Sequence, residues 1–321
     1  MRSPQDAPAA GTRRVAIVGA TGFIVRWAAA AVLARGDRSL LLGRNAAALE
    51  AAFRGAAGDM QLAVADARLP DALVATLDAF APTVLVNLAG YGVDRDERDP
   101  VTAQLVNVTL PRVLAEWAAQ GGARLVHVGS ALEYGTAAGD LREDTSPAPT
   151  TLYGQTKLAG TEAVAEVGAR TGAGVLTARL FTVYGLGEHA GRLLPSIIEA
   201  RTSGEQLPLS EGRQRRDFCY VEDVVEGLLR LAEAPARPGE VINLATGVLT
   251  TVREFALTAA SVLGVDVSQL QFGAVPVRAE EMAHDPVSIV RLRELLGWSP
   301  DPSLGRGLAR VRQRLERTAT G

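Results

Sequence analysis

Apolar residues along the chain follow two alternating rhythms. Short, nearly continuous apolar runs such as Val15-Ala16-Ile17-Val18, Thr83-Val84-Leu85-Val86-Asn87-Leu88-Ala89 and Arg124-Leu125-Val126-His127-Val128 have the composition of strands buried on both faces. Between them, longer stretches carry apolar residues at helical spacing. The pattern predicts strands over 14–19, 39–43, 60–65, 83–89, 123–129 and 174–181, and helices over 24–35, 45–55, 70–79, 100–120 and 151–171. Such alternation builds right-handed βαβ units, hence an α/β fold with a doubly wound parallel sheet. Beyond Gly185 the rhythm fades into helices over 191–203, 221–234, 251–263, 286–296 and 303–318, separated by Pro- and Gly-rich connections. The expected organisation is a flexible tail over 1–12, a sheet domain over 13–184, and a smaller, mostly helical lobe over 185–321 that returns some chain to the sheet.

The first strand runs into Gly19-Ala20-Thr21-Gly22-Phe23-Ile24 and then an Ala-rich helix. A helix N-terminus after a glycine turn aims unpaired N–H groups and a positive dipole end at an anion, here the pyrophosphate of a dinucleotide. Taken alone, the turn also fits a strand-helix connection with incidental glycines. The second strand, Ser39-Leu40-Leu41-Leu42, ends at Gly43-Arg44-Asn45. An NAD site usually places a carboxylate there for the ribose 2′-hydroxyl, whereas the planar donor fork of Arg suits a 2′-phosphate. Arg44 therefore favours NADP(H) over NAD(H); its plainer reading is a solvated helix-start residue. Asp66, ending the third strand, can accept from the adenine amino group or cap a loop.

Composition narrows the field. Of 321 residues, 47% are hydrophobic and 21% charged, enough apolar surface for one large core or two adjoining ones. A net charge of −3 gives no global attraction to nucleic acid or an anionic membrane. The single cysteine, Cys219, excludes an internal disulfide and fits a reducing, cytoplasmic setting. The segment MRSPQDAPAAGT has no apolar core of a signal peptide, no run is long enough to span a bilayer, and three scattered histidines do not make a metal site.

Tyr153 and Lys157 stand four residues apart inside a predicted helix, so both side chains leave one face a turn apart. An ammonium beside a phenol favours the phenolate and makes it a workable proton donor or acceptor. Ser130, at the end of the fifth strand, can hold a carbonyl or alcohol oxygen beside that phenol. A Tyr and a Lys at this spacing are common on helices; their combination with a strand-end Ser and an upstream glycine turn is much rarer.

With these residues assembled, the chain from Arg13 to about Leu315 resembles the extended short-chain dehydrogenase/reductase family of nucleotide-sugar epimerases, dehydratases and ketoreductases, built on a Rossmann-type sheet. The matching pieces are the glycine turn, Asn87-Leu88-Ala89-Gly90, Asn107, Ser130, Tyr153 with Lys157, Arg179-Leu180-Phe181-Thr182-Val183-Tyr184-Gly185, Arg216-Asp217-Phe218-Cys219-Tyr220-Val221-Glu222-Asp223-Val224, and Leu296-Gly297-Trp298-Ser299-Pro300. The resemblance implies that Tyr153 is the acid/base, that Lys157 also binds the nicotinamide ribose, that Ser130 orients the reacting oxygen and that Asn107 supports the site. It places the cofactor against Gly19, Thr21, Gly22, Phe23, Ile24, Leu88 and Ala89, and the substrate against Ser130, Thr182, Arg216 and Arg278, the two arginines holding a nucleotide-sugar diphosphate. Unaided, Arg213, Arg215 and Arg216 read as a solvated basic turn and Arg278 as a surface charge. A homodimer through the helix carrying Leu105, Val108, Val113 and Leu114 and the Tyr153 helix is also implied, although core packing explains the same residues.

One departure stands out: the family's third turn glycine is Val25 here, and a β-branched side chain at that point is expected to crowd the pyrophosphate or push the helix away. A second departure concerns the reaction. The family's 4,6-dehydratases place Asp-Glu directly after the strand-end hydroxyl, whereas this chain has Ala131 and Leu132. The expectation is NADPH-dependent reduction of a keto group, C4 of a nucleotide-activated 4-keto-6-deoxyhexose. The alternatives are a 4-epimerase that retains NAD and a nucleotide-binding protein of weak activity. Asp94-Arg95-Asp96-Glu97-Arg98-Asp99 reads as a self-paired solvated loop, His189 as an exposed loop residue, and His127 as a satisfied core residue.

Overall fold

Val15, Ala16, Ile17 and Val18 are each at most 2% exposed, as a strand flanked on both sides must be. The computed structural model describes residues 13–93, 96–137, 139–277 and 286–320; the tail 1–12, Asp94, Arg95 and Arg278 lie outside the described residues. The strands are β1 (Arg14–Val18), β2 (Arg38–Gly43), β3 (Met60–Val64), β4 (Val84–Asn87), β5 (Arg124–Ser130), β6 (Val175–Leu180), β7 (Thr182–Tyr184), β8 (Leu207–Leu209), β9 (Arg215–Tyr220), β10 (Glu240–Leu244), β11 (Leu249–Thr251) and β12 (Leu270–Phe272). The helices are α1 (Phe23–Ala34), α2 (Ala46–Phe53), α3 (Pro70–Phe80), α4 (Pro100–Gln104), α5 (Leu110–Gly121), α6 (Leu152–Thr171), α7 (Leu193–Ser203), α8 (Val221–Glu233), α9 (Val252–Leu263), α10 (Val290–Leu296) and α11 (Leu304–Thr320).

Seven strands form one parallel Rossmann sheet in the order β10-β6-β5-β4-β1-β2-β3. The strand order reverses between β1 and β4, where open α/β sheets bind ligands beyond the strands' carboxyl ends. Register sets Val18 beside both Leu42 and Asn87, and Asn87 beside His127. One sheet face packs Leu40, Leu85 and Leu125 against Leu77 of α3, Leu114 of α5 and Val164 of α6. Full burial of each such side chain contributes about 1.5–3 kcal/mol.

The chain divides into two units, neither continuous in sequence. One takes the chain up to Gly129 with Gln155–Ala178 and Leu228–Val241; the other takes Ser130–Gly154, Arg179–Gly227 and the chain from Ile242. In the second unit, β11-β9-β7 and β12-β8 form small sheets. No strands were placed beyond 181 in the sequence pattern, although some chain of the mostly helical 185–321 lobe was expected to return to the sheet; β10 lies in that sheet. The basic run is correspondingly not a turn: Arg215 and Arg216 begin β9. Its buried Asp217 accepts the Thr246 and Gly247 N–H groups at 2.9 and 2.8 Å, which pins β9 to the segment before β11.

Two further differences concern helices. The helix expected over 100–120 contains a π-helical turn at Leu105–Thr109, and the one expected from 286 begins at Val290. Val25 is 1% exposed and points inward with Ala28, Ala29 and Val32, so packing absorbs its methyls. A Cβ built on Gly22 would stand 3.9 Å from Val25 Cγ2. Leu114 is fully buried, whereas Leu105, Val108 and Val113 are half-buried. Among the described residues, no helix is long and apolar enough to cross a membrane.

Candidate active site

The glycine turn is shaped by its neighbours. Gly19 adopts φ +95°, and a Cβ there would lie 2.8 Å from the Ala89 amide nitrogen, so only glycine fits where the ends of β1 and β4 meet. The Gly19 and Ala20 N–H groups donate to Leu42 O at 3.0 and 2.9 Å, and the Leu88 N–H to Val18 O at 3.0 Å. Those amides are occupied. Gly22 is the extended N-cap of α1, with no side-chain cap and no acidic residue in the first turn, so neither a cap nor a first-turn carboxylate neutralises the positive end of the helix. This cradle fits a dinucleotide pyrophosphate at Gly22, Phe23 and Ile24, with Thr21 exposed beside it.

At the end of β2, Gly43 packs so closely on α2 that a Cβ would meet Leu49 Cδ2 at 3.0 Å. Arg44, exposed, follows it. Asp66 accepts the Arg68 backbone N–H at 2.9 Å and Arg68 Nε at 3.0 Å. These hydrogen bonds from Arg68, with a smaller electrostatic contribution from Arg44, hold its carboxyl below the usual carboxylate range. An adenine amino group would compete there with Arg68.

β5 delivers Ser130 as N-cap of a short 3-10 turn, Ala131–Glu133. Ser130 Oγ accepts the Leu132 N–H at 3.2 Å, which leaves the hydroxyl proton to be donated elsewhere. The first turn of α6 touches this same turn: a Cβ on Gly154 would stand 2.4 Å from Leu132 O. Tyr153, half-buried, lies in that first turn. Lys157, one turn further on, is 2% exposed and donates from Nζ to Val128 O at 2.6 Å.

Asn107 sits in the π-helical turn and is fully buried. Its amide donates to Tyr91 O at 2.8 Å and Thr156 Oγ1 at 2.9 Å and accepts the Tyr91 N–H at 2.9 Å, while a Cβ on Gly160 would lie 2.0 Å from the Asn107 carbonyl oxygen. The side chain clamps the segment after β4 to α6. π-Helical turns are frequent at functional sites.

His127 differs from the satisfied core residue expected. Nδ1 meets Asn87 Nδ2 at 3.1 Å, but the buried Nε2 has no hydrogen-bond partner among the described residues. Burial, reinforced by Lys157, pushes its pKa well below the ordinary histidine value, so His127 stays neutral and leaves the positive charge to Lys157. Thr182 and Arg216 are half-buried on β7 and β9, and His189 is exposed. Asp99 caps α4 through the Val101 and Thr102 N–H groups. Sequence reasoning missed Glu133 and Arg179 as a buried pair and Glu188 as a buried carboxylate. The spacing Ser130-x-x-Glu133 is a capping-box signature that pointed to the first.

The fold is a doubly wound α/β sheet with a glycine turn after its first strand, and β5 and α6 carry Ser130, Tyr153 and Lys157. The chain belongs to the NAD dependent epimerase/dehydratase family, whose sequence model matches residues 15–245, and with it to the extended short-chain dehydrogenases/reductases. It is 34% identical over 319 residues to a dTDP-6-deoxy-L-talose 4-dehydrogenase (NAD(P)(+)) of Kitasatospora kifunensis, covering 95% of each chain. It is 29% identical over 307 residues to a UDP-glucose 4-epimerase of Mycolicibacterium smegmatis, covering 93% of this chain and 97% of that one. Among solved structures, MoeE5 in complex with UDP-glucuronic acid and NAD superposes with a TM-score of 0.81 at 27% identity, over 95% of this chain and 99% of that one.

Proposed function

We propose that this protein reduces a ketone with NADPH, the ketone being C4 of a nucleotide-activated 4-keto-6-deoxyhexose. The observation that carries the reading is the turn after Ser130. Its one carboxylate, Glu133, accepts the Ser130 N–H with Oε1 and Arg179 Nε with Oε2, both at 2.7 Å, so the turn offers no free acid and base for water elimination. Tyr153 then serves as the single proton donor. When bound at the α1 cradle, the cofactor supplies hydride to the carbonyl carbon. Tyr153 gives its phenolic proton to the carbonyl oxygen, the Lys157 ammonium stabilises the phenolate left behind, and the Ser130 hydroxyl holds the same oxygen by donating to it. Arg44, following a strand end without a carboxylate, supports the 2′-phosphate and hence NADPH. The Kitasatospora relative, by its name, acts at position 4 of a dTDP-linked 6-deoxy sugar with either dinucleotide, the reverse of this reduction.

Incubation with NADPH and a dTDP-4-keto-6-deoxyhexose tests the reading. Reduced-nicotinamide absorbance is expected to fall, with Tyr153→Phe slowing turnover by on the order of 10²–10⁴-fold. Interconversion of 4-hydroxy epimers without net NADPH loss would replace this reading with the epimerase. Tight nucleotide binding without turnover of any ketone would replace it with a binding protein.

A further inference from the structure

Two buried charges stand behind Ser130, outside the Ser-Tyr-Lys constellation. Glu133 is fully buried and Arg179 is 4% exposed, joined through Arg179 Nε and Glu133 Oε2 at 2.7 Å. A buried ion pair is poor evidence for stability, because apolar side chains of similar volume often do as well or better. Its other contacts suggest a different role. Glu133 Oε1 accepts the Ser130 N–H at 2.7 Å while Ser130 Oγ accepts the Leu132 N–H at 3.2 Å, a closed box that fixes both the backbone and the side chain of Ser130. Arg179 is held in turn: its guanidinium lies 4.6 Å from the Tyr134 ring centroid, and Tyr134 Oη donates to Asn243 Oδ1 at 2.8 Å. The Asn243 amide donates to Leu141 O at 3.1 Å and Ser288 O at 3.3 Å. Arg179 Nη1 is buried without a hydrogen-bond partner among the described residues, an unfavourable arrangement that apolar packing would avoid.

We propose that Glu133 and Arg179 are positioning residues for Ser130, holding its hydroxyl so that its proton is aimed at the reacting oxygen. The inference rests on the proposed reduction only for the identity of that oxygen. Preorganised donors act because they need no rearrangement as charge develops, and small displacements of them are expensive in rate.

The test pairs Glu133→Leu/Arg179→Met, which removes both charges together, with Glu133→Gln, which keeps an acceptor for the Ser130 N–H. In the first, hydrogen exchange at the Ser130 amide is expected to accelerate about tenfold or more. Its kcat is expected to fall by on the order of 10²-fold, with KM for NADPH little changed. Added to Ser130→Ala, the double substitution is expected to cost almost nothing further, because it acts through the missing hydroxyl. Glu133→Gln is expected to lower thermal stability, since Arg179 loses its counter-charge, yet to keep both Ser130 protection and most of kcat. Unchanged exchange at Ser130, a full additional loss on Ser130→Ala, or a Gln variant as slow as the Leu/Met one would each overturn the proposal. Absence of turnover in the unmodified enzyme would defeat the reduction reading instead, and the exchange comparison would still decide this one.

Discussion

Gly154→Ala is the smallest change expected to disturb the site. The added Cβ would stand 2.4 Å from Leu132 O and 3.2 Å from the Leu132 carbonyl carbon. The oxygen belongs to the backbone of the Ser130 turn and has no rotamer with which to escape. Relief to an ordinary contact requires the start of α6 and that turn to part by roughly 1 Å or more. Gly154 has no positive φ, so the effect is steric alone, and helix propensity works the other way by about 1 kcal/mol in favour of Ala. Overpacking of this kind costs about 1–3 kcal/mol. The net change in stability is therefore expected to be small, and the change in geometry large. Displacement of Tyr153 relative to Ser130 on this scale is expected to lower kcat by up to about 10²-fold, while NADPH affinity in a calorimetric titration stays within a factor of two of the unmodified value, about 0.4 kcal/mol. A variant that keeps both the melting temperature and kcat would show that the close approach at Leu132 does not set the distance on which turnover depends.

Arg44→Ala is expected to weaken NADPH binding by about 10–100-fold, the worth of charge-assisted hydrogen bonds to a phosphate, and to leave NADH binding unchanged; equal losses for both would remove the 2′-phosphate assignment. Glu188 lies against the Gly185 N–H at 3.0 Å, and burial raises its pKa from the ordinary 4.5 to about 7. Because the folded state binds this proton more tightly than the unfolded chain, its stabilising contribution is full below about pH 4.5 and is lost as pH rises through 7. Glu188→Gln, which stays neutral, should flatten the decline in melting temperature between roughly pH 5 and 8, and identical slopes in the two proteins would refute that. Val25→Gly is expected to lower stability by about 2–4 kcal/mol through the cavity and the helix propensity of glycine without changing NADPH affinity; tighter binding would mean that the methyls face the anion after all.

What the sequence made legible was local. The apolar run before Gly19 and the spacing of Tyr153 and Lys157 needed only their own neighbourhoods, and the strand and helix they define are where they were expected. Where Val25 sits was legible too: residues 25, 28, 29 and 32 recur at helical spacing, which puts Val25 on the buried face of α1. The contacts that went unseen are long-range. Glu133 finds Arg179 46 residues away, Asp217 finds Thr246 29 residues away, and Asn107 finds Thr156 49 residues away. The arginines at its start masked β9, whose strand character comes from those distant partners, and β10, as long as β1, went unread because its neighbour in the sheet, β6, lies far away in sequence. The π-helical turn is invisible to periodicity because it spans only five residues between helical stretches on either side.

The division into two interleaved units has a consequence for biosynthesis. The chain passes between them five times, at residues 129/130, 154/155, 178/179, 227/228 and 241/242, so neither can be expressed as one uninterrupted fragment. The first cannot be complete on the ribosome until Val241 has emerged, by which point two of the second unit's three segments have been made as well, so the two must sort their contacts while both are unfinished, unlike an N-terminal domain that matures before the next is made.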